Sequence, residues 1–319
     1  MIFEKQVMGI YKRIMFTRCD DMETVFYFSA DDFDGLTKQP YPFVASAGHT
    51  LQGYIYQYPN PKPDRLIVFD HGYGGGHRAY MKEIEMLCRR GYTVFAYDHT
   101  GCMESGGETP NGMAQSLCDL NDCINTIKAD KRFEGYDISV VGHSWGGFST
   151  SNISALHPEI SHVVVLSGFV SVGVIIDSLV TGFLRLYIKS IMKVERAANP
   201  RFADFHAVDS LKRSKAKALL IYSDDDPIVK RNNFDILKEG LADRENTQFL
   251  LVSGKKHNPN YTAEAVRLIN EFSEAKSKFL KNKDLTEQQK QEFVKSFDWD
   301  AMTTQDEEVW NVIFEHLES

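Results

Sequence analysis

A chain of 319 residues that is 43% hydrophobic and 25% charged has enough apolar material for a sizeable core and the composition of an ordinary globular protein. Its net charge of −8 and pI near 5.7 argue against nucleic acid as a partner, since neutralising phosphates requires an excess of Lys and Arg. The five cysteines (Cys19, Cys88, Cys102, Cys118, Cys123) are odd in number, scattered and without a C-x-x-C spacing, so they read as free buried thiols rather than a disulfide framework or zinc site.

Residues 1–40 read as an N-terminal extension. Glu4, Lys5, Lys12, Arg13 and Arg18 interrupt its apolar residues, leaving no signal-peptide core, and a cytoplasmic protein is expected. After Pro40-Tyr41-Pro42, residues 43–46 and 51–57 flank Ala47-Gly48-His49-Thr50 and predict a hairpin, an antiparallel edge to whatever sheet follows. Short β-branched or aromatic runs then recur at 65–69, 93–97, 138–141, 163–166, 218–222 and 248–252, the pattern of strands covered on both faces. Helical stretches at 78–90, 112–129, 145–156, 232–241 and 263–279 alternate with them, which predicts an α/β chain with a mostly parallel central sheet flanked by helices.

One interval breaks that rhythm. About fifty residues separate the strands at 163 and 218, too many for a bare loop, so 168–212 are expected to form a small helical lid over the carboxyl edge of the sheet. The core is then 41–167 plus 213–281. The apolar run 163–184 approaches bilayer-spanning length, but Asp177 and several Ser and Gly residues interrupt it, so no stable membrane insertion is expected. Residues 282–319 form an acidic, helix-prone tail, and Phe297, Trp299, Trp310 and Phe314 predict that it docks on the rest of the chain.

The strongest chemical signal is Val140-Val141-Gly142-His143-Ser144-Trp145-Gly146-Gly147, a G-x-S-x-G pattern between a strand and a helix. A nucleophilic serine must project clear of the sheet on a strained turn, and glycines two residues to either side make room for it. Serine needs a base, and a base needs an orienting carboxylate. His257, in Ser253-Gly254-Lys255-Lys256-His257-Asn258, follows the last predicted strand. Asp224, Asp225 and Asp226 follow the one before it and compete for the carboxylate role. Asp226, just ahead of Pro227-Ile228-Val229, is selected, the other two reading as turn formers. Two backbone amides are expected to form an oxyanion hole: that of Trp145, and that of Tyr73 in the loop His71-Gly72-Tyr73-Gly74-Gly75-Gly76. As a dinucleotide fingerprint this loop would need glycine at His77, and as a phosphate loop it lacks Gly-Lys-Ser/Thr. His71 and His143 read as structural. The loop 98–107 reads as shaping the pocket floor, and no His, Cys and carboxylate cluster has metal spacing.

Together, His71-Gly72, Asp98-x-x-Gly101, Gly142-x-Ser144-x-Gly146, Asp226-Pro227-x-Val229 and Gly254-x-x-His257 resemble the α/β-hydrolase family, in particular its esterase, monoacylglycerol-lipase-like and serine-aminopeptidase-like branch, over roughly residues 43–280. The chain departs from many relatives where Cys102-Met103-Glu104 intervenes between Gly101 and Ser105. The resemblance implies the α/β-hydrolase fold and a Ser144–His257–Asp226 acyl-enzyme mechanism on a small-molecule acyl ester, with no metal or organic cofactor. A peptidase or amidase of the same fold is the alternative, and a non-catalytic binding member a further one. The apolar lid residues, among them Phe169, Ile175, Phe183 and Leu184, could pack the lid on the core, line an acyl pocket, or both. Arg185, Lys189, Lys193 and Arg196 form a basic stretch suited to an anionic group. The sequence specifies no oligomeric partner.

Overall fold

Because the strand runs are apolar on both faces, their backbone bonds close between strands and their side chains need cover above and below. The computed structural model describes residues 2–319, so residue 1 of the predicted extension lies outside it. In chain order it comprises helix α1 (Ile2–Met15), strands β1 (Thr37–Pro40), β2 (Phe43–Val44), β3 (Thr50–Leu51), β4 (Gly53–Gln57) and β5 (Arg65–Asp70), α2 (Met81–Arg89), β6 (Thr93–Tyr97) and α3 (Gln115–Ala129). There follow β7 (Asp137–His143), α4 (Trp145–Ile153), β8 (His162–Leu166), α5 (Val172–Leu179), α6 (Ile188–Ala198), α7 (Ala207–Arg213), β9 (Lys217–Ser223), α8 (Asn232–Gly240), β10 (Thr247–Val252), α9 (Ala263–Phe279), α10 (Glu287–Lys295), α11 (Trp299–Met302) and α12 (Glu307–Leu317).

The main sheet has the order β1-β4-β6-β5-β7-β8-β9-β10, antiparallel at β1/β4 and β4/β6 and parallel from β6 onward. Successive residues alternate between two cores. Leu66, Val68, Val163, Val165 and Leu220 enter one, whereas Ile67, Phe69, Val164, Leu166 and Leu219 enter the other. Each buried aliphatic side chain contributes about 1.5–3 kcal/mol of transfer free energy. This is the α/β-hydrolase fold, and it places the carboxyl ends of β7, β9 and β10 along one edge. No helix among the described residues is long and apolar enough to cross a membrane.

Four expectations change. The predicted hairpin is only the short pair β2–β3, a separate two-stranded sheet, because the chain breaks at Gln52, whose amide is taken by the Ser105 hydroxyl at 2.8 Å. The edge of the main sheet is instead β1, inside the stretch assigned to the extension; it is exposed throughout and shows no apolar alternation. Residues 207–213, expected in the lid, pack on α4 and α8 as a crossover helix. Val208 fills the space over Gly240, and Ser210 donates to Asn152 at 2.6 Å. The inserted part is accordingly shorter, centred on α5 and α6. Finally, the five thiols are free, but only Cys88, Cys102 and Cys123 are buried, Cys19 and Cys118 being half-buried.

The tail does dock. Trp310, Ile313 and Leu317 of α12 are buried in the second core, against β8 and β9, so α12 is part of the layer that covers one face of the sheet. Phe297 and Trp299 pack on Phe272 of α9, each with ring centroids 5.0 Å apart.

Candidate active site

The turn between β7 and α4 is fixed by sterics. Ser144 has φ 55° and ψ −108°, a conformation a non-glycine residue adopts only when its surroundings hold it there. A Cβ on Gly146 would lie 2.0 Å from the Asp70 carbonyl oxygen, and one on Gly142 would lie 2.2 Å from the Thr150 hydroxyl. The glycines of the motif are thus demanded by close backbone approach, and Ser144 is left half-buried above the sheet.

Loops after β9 and β10 bring the other predicted residues to it. The Ser144 hydroxyl lies 2.8 Å from His257 Nε2, and His257 Nδ1 lies 2.7 Å from Asp226 Oδ2. The Asp226 side chain is fully buried, while that of His257 is 16% exposed and reachable from solvent. The other oxygen of Asp226 accepts the amides of Ile228 (2.8 Å) and Val229 (3.0 Å), which fixes the carboxylate plane. The two competing aspartates turn elsewhere: Asp224 accepts from Ser253 at 2.6 Å, and Asp225 from Ser223 at 2.7 Å and the Lys256 amide at 3.0 Å.

The glycine loop after β5 packs beside Ser144. A Cβ on Gly72 would sit 3.4 Å from that of Ser144, and the Tyr73 and Trp145 rings meet edge-on at 5.2 Å. The Gly72 amide is spent on the Tyr80 hydroxyl (3.1 Å), whereas those of Tyr73 and Trp145, the latter the first residue of α4, have no acceptor among the described residues.

Tyr80 was not singled out from the sequence, yet it joins the parts. Its hydroxyl accepts from Gly72 and donates to His143 Nδ1 (2.9 Å), while His143 Nε2 donates to the carbonyl of His257 (2.7 Å). One hydrogen-bonded chain thereby ties the glycine loop, the serine turn and the histidine loop together. Burial, with the neighbouring His257, pushes the pKa of His143 down to about 3, so its ring stays neutral and keeps one donor and one acceptor. The tail braces the same loop from outside. Lys255 bonds to the Tyr261 carbonyl (2.6 Å) and to Asp306, and Asn260 donates to Gln305 (2.8 Å) and to buried Glu83 (3.2 Å). Such contacts span long stretches of chain and leave no local signal.

The loop after β6 is a buried brace rather than an open pocket floor. Asp98 accepts from the amide (2.9 Å) and ring (2.7 Å) of His77, and His99 is enclosed between Asp70 and Asp119. His71 accepts the His99 amide at 2.9 Å and bonds through Nδ1 to the Gly72 carbonyl at 2.8 Å, which steadies the glycine loop as expected. The His99 ring approaches Asp119 at 3.2 Å and Asp70 at 2.9 Å, the latter within ion-pair range but outside hydrogen-bond alignment. Burial alone would disfavour the imidazolium, but the two carboxylates outweigh it and raise its pKa to about 9. A raised folded value means that the stabilisation is complete below about pH 6.5 and is lost as pH climbs through about 9. Urea unfolding is expected to lose on the order of 3 kcal/mol from this group across that window, a loss absent in His99→Gln. Parallel curves for the two proteins would contradict the assignment.

Helices α5 and α6 reach the site from one side. Lys230, just past Asp226, donates to the Ser178 carbonyl of α5 at 2.7 Å. On α6, buried Glu195 accepts the Met113 amide at 2.8 Å and the Tyr11 hydroxyl of α1, and the Met113 carbonyl in turn accepts the Trp145 indole at 2.6 Å.

Residues 61–203 match the family model described as serine aminopeptidase, S33. Monoglyceride lipase of Rattus norvegicus is 30% identical over 132 residues, 40% of this chain and 43% of that protein. The chain thus aligns with less than half the length of this curated relative. Among solved structures, an esterase of Pyrococcus furiosus superposes with a TM-score of 0.60 at 18% identity, covering 88% of this chain and 99% of that one. A puromycin-hydrolyzing peptidase of Mycobacterium tuberculosis superposes with a TM-score of 0.51 at 18% identity, covering 69% of this chain and 36% of that one. At these identities the structural likenesses establish the fold.

Proposed function

Because the chain has the α/β-hydrolase fold and is similar in part of its length to a serine-aminopeptidase family model and to monoglyceride lipase, we propose that it is a serine hydrolase cleaving small-molecule carboxylic esters through an acyl-enzyme. The observation that carries this reading is the line from the Ser144 hydroxyl to His257 (2.8 Å) and on to Asp226 (2.7 Å), beside two amides that have no acceptor among the described residues. Ser144 Oγ attacks the ester carbonyl while His257 Nε2 takes its proton, and Asp226 holds the tautomer and stabilises the imidazolium. Negative charge on the carbonyl oxygen meets the amides of Tyr73 and Trp145, each such donor being worth about 3 kcal/mol in the transition state. His257 then protonates the leaving alkoxide, and a water deprotonated by the same nitrogen releases the acid. On this reading, α5 and α6 act as the lid.

The family model's description, serine aminopeptidase, favours a second reading, an amide-cleaving enzyme working through the same residues. Turnover of nitrophenyl esters of graded chain length, set beside aminoacyl nitroanilides, separates the two. Esters are expected to give the larger kcat/KM. A preference for anilides would move the assignment to a peptidase, and absence of both turnover and fluorophosphonate labelling would leave a non-catalytic binding protein.

A further inference from the structure

The loop after β6 carries Cys102-Met103-Glu104 between Gly101 and Ser105, and nothing in the proposed chemistry uses that departure. In the structure Cys102 pairs with Cys19 of the N-terminal segment in an isolated parallel bridge. The Cys19 amide donates to the Gly101 carbonyl at 2.9 Å, and the Met103 amide donates to the Cys19 carbonyl at 2.7 Å. Backbones paired in this way run about 4.8 Å apart, within the Cα separations that a disulfide spans. Both side chains turn into the first core, where the fully buried Cys102 thiol lies against that of Cys19. The bridge is a single residue pair, so no ladder on either side resists the small approach that a covalent bond requires. Arg18 holds the two segments in register, donating to the Gly107 carbonyl at 2.8 Å and to the Met103 carbonyl.

The two thiols differ in chemistry. Cys19 is half-buried, so a small solute can reach it, whereas Cys102 is enclosed. The neighbouring Cys102 thiol, followed by the Gly74 amide and the Tyr73 hydroxyl, lowers the Cys19 pKa against the opposing effects of burial and Asp20. Cys19 itself, and then burial, raise that of Cys102. The other three thiols lack such a partner: Cys118 is also half-buried but is pushed up to about 12 by burial and then by Asp119 and Asp122, and burial raises Cys88 and Cys123.

We propose that Cys19 and Cys102 form a peroxide-sensitive dithiol, with Cys19 as the attacking sulfur and Cys102 as the resolving one. The Cys19 thiolate attacks one oxygen of hydrogen peroxide; an S–O bond forms, the O–O bond breaks and hydroxide leaves. The Cys102 sulfur then attacks the sulfenic sulfur, the S–S bond forms as the S–O bond breaks, and the Cys102 proton leaves with the hydroxyl as water. Two thiols are oxidised and one peroxide is reduced, and a dithiol reductant reverses the change. The closed disulfide clips the segment after α1 to the loop after β6, beside Tyr73 and Gly74 of the glycine loop.

The test is peptide mass spectrometry of the folded chain after hydrogen peroxide, with free thiols alkylated before digestion. A Cys19–Cys102 disulfide is expected, lost again on treatment with dithiothreitol. In the reduced protein, iodoacetamide should alkylate Cys19 at least about tenfold faster than Cys118, which separates an activated thiol from a merely accessible one. Cys102→Ser should leave Cys19 as a sulfenic acid that dimedone traps, and Cys19→Ser should leave Cys102 unoxidised. Ser144→Ala should crosslink at the parent rate, so the proposal stands apart from the hydrolase reading. An unbridged pair, a bridge that forms only after unfolding in urea, Cys118 reacting as fast as Cys19, or oxidation of Cys102 in Cys19→Ser would overturn it.

Discussion

Ser144→Ala is expected to lower ester turnover on the order of 10⁶-fold and to abolish fluorophosphonate labelling, with the urea unfolding midpoint almost unmoved. The size of the loss follows from the absence of any substitute: no second hydroxyl among the described residues lies on His257 Nε2, and the two amides can polarise a carbonyl without supplying a nucleophile. Stability should hold because the substitution keeps a Cβ at φ 55° and so leaves the backbone strain as it was, and because His257, 16% exposed, can exchange its lost partner for water. Kinetics and labelling on the same preparation, with circular dichroism as the folding control, decide the matter. Turnover surviving within a hundredfold of the parent would mean that another group attacks the substrate.

The serine turn was legible because its requirements are local. Gly142 and Gly146 are needed within two residues of Ser144, and the strand before and the helix after announce themselves by their own composition. The central strands were legible for a similar reason: Val163 to Leu166 is covered on both faces and therefore apolar throughout. Helix α9 carries its own start signal, Thr262, which accepts the Ala265 amide at 3.1 Å. What escaped were features held by distant partners. Strand β1 is polar and exposed, and only its backbone bonds to β4 make it a strand. Tyr80 acts through His143, and Asn260 through Glu83 and Gln305, and nothing in the flanking residues announces either link. Trp310 announced burial without saying where. Its resting place is the sheet face under β8 and β9, a surface that exists only once the parallel strands have assembled.

Asp226→Asn is expected to reduce kcat about 10⁴-fold while leaving KM and unfolding nearly unchanged. The substitution is almost isosteric, and the geometry dictates which way the new amide must face. One oxygen of Asp226 accepts the Ile228 and Val229 amides, so the asparagine carbonyl takes that place and its NH₂ is turned toward His257 Nδ1. That nitrogen must then accept, which moves the imidazole proton to Nε2, the position that has to be empty to receive the proton of Ser144. Asp224→Asn and Asp225→Asn provide the control, because their carboxylates bond to Ser253, Ser223 and Lys256 and neither touches the imidazole. These should stay within a few fold of the parent. A large loss at either, with Asp226→Asn near normal, would transfer the orienting role to the other carboxylate. If the tautomer explanation holds, Asp226→Ala should be the less damaged catalyst despite folding less stably, because it leaves two buried amides unpaired but does not force the proton onto Nε2.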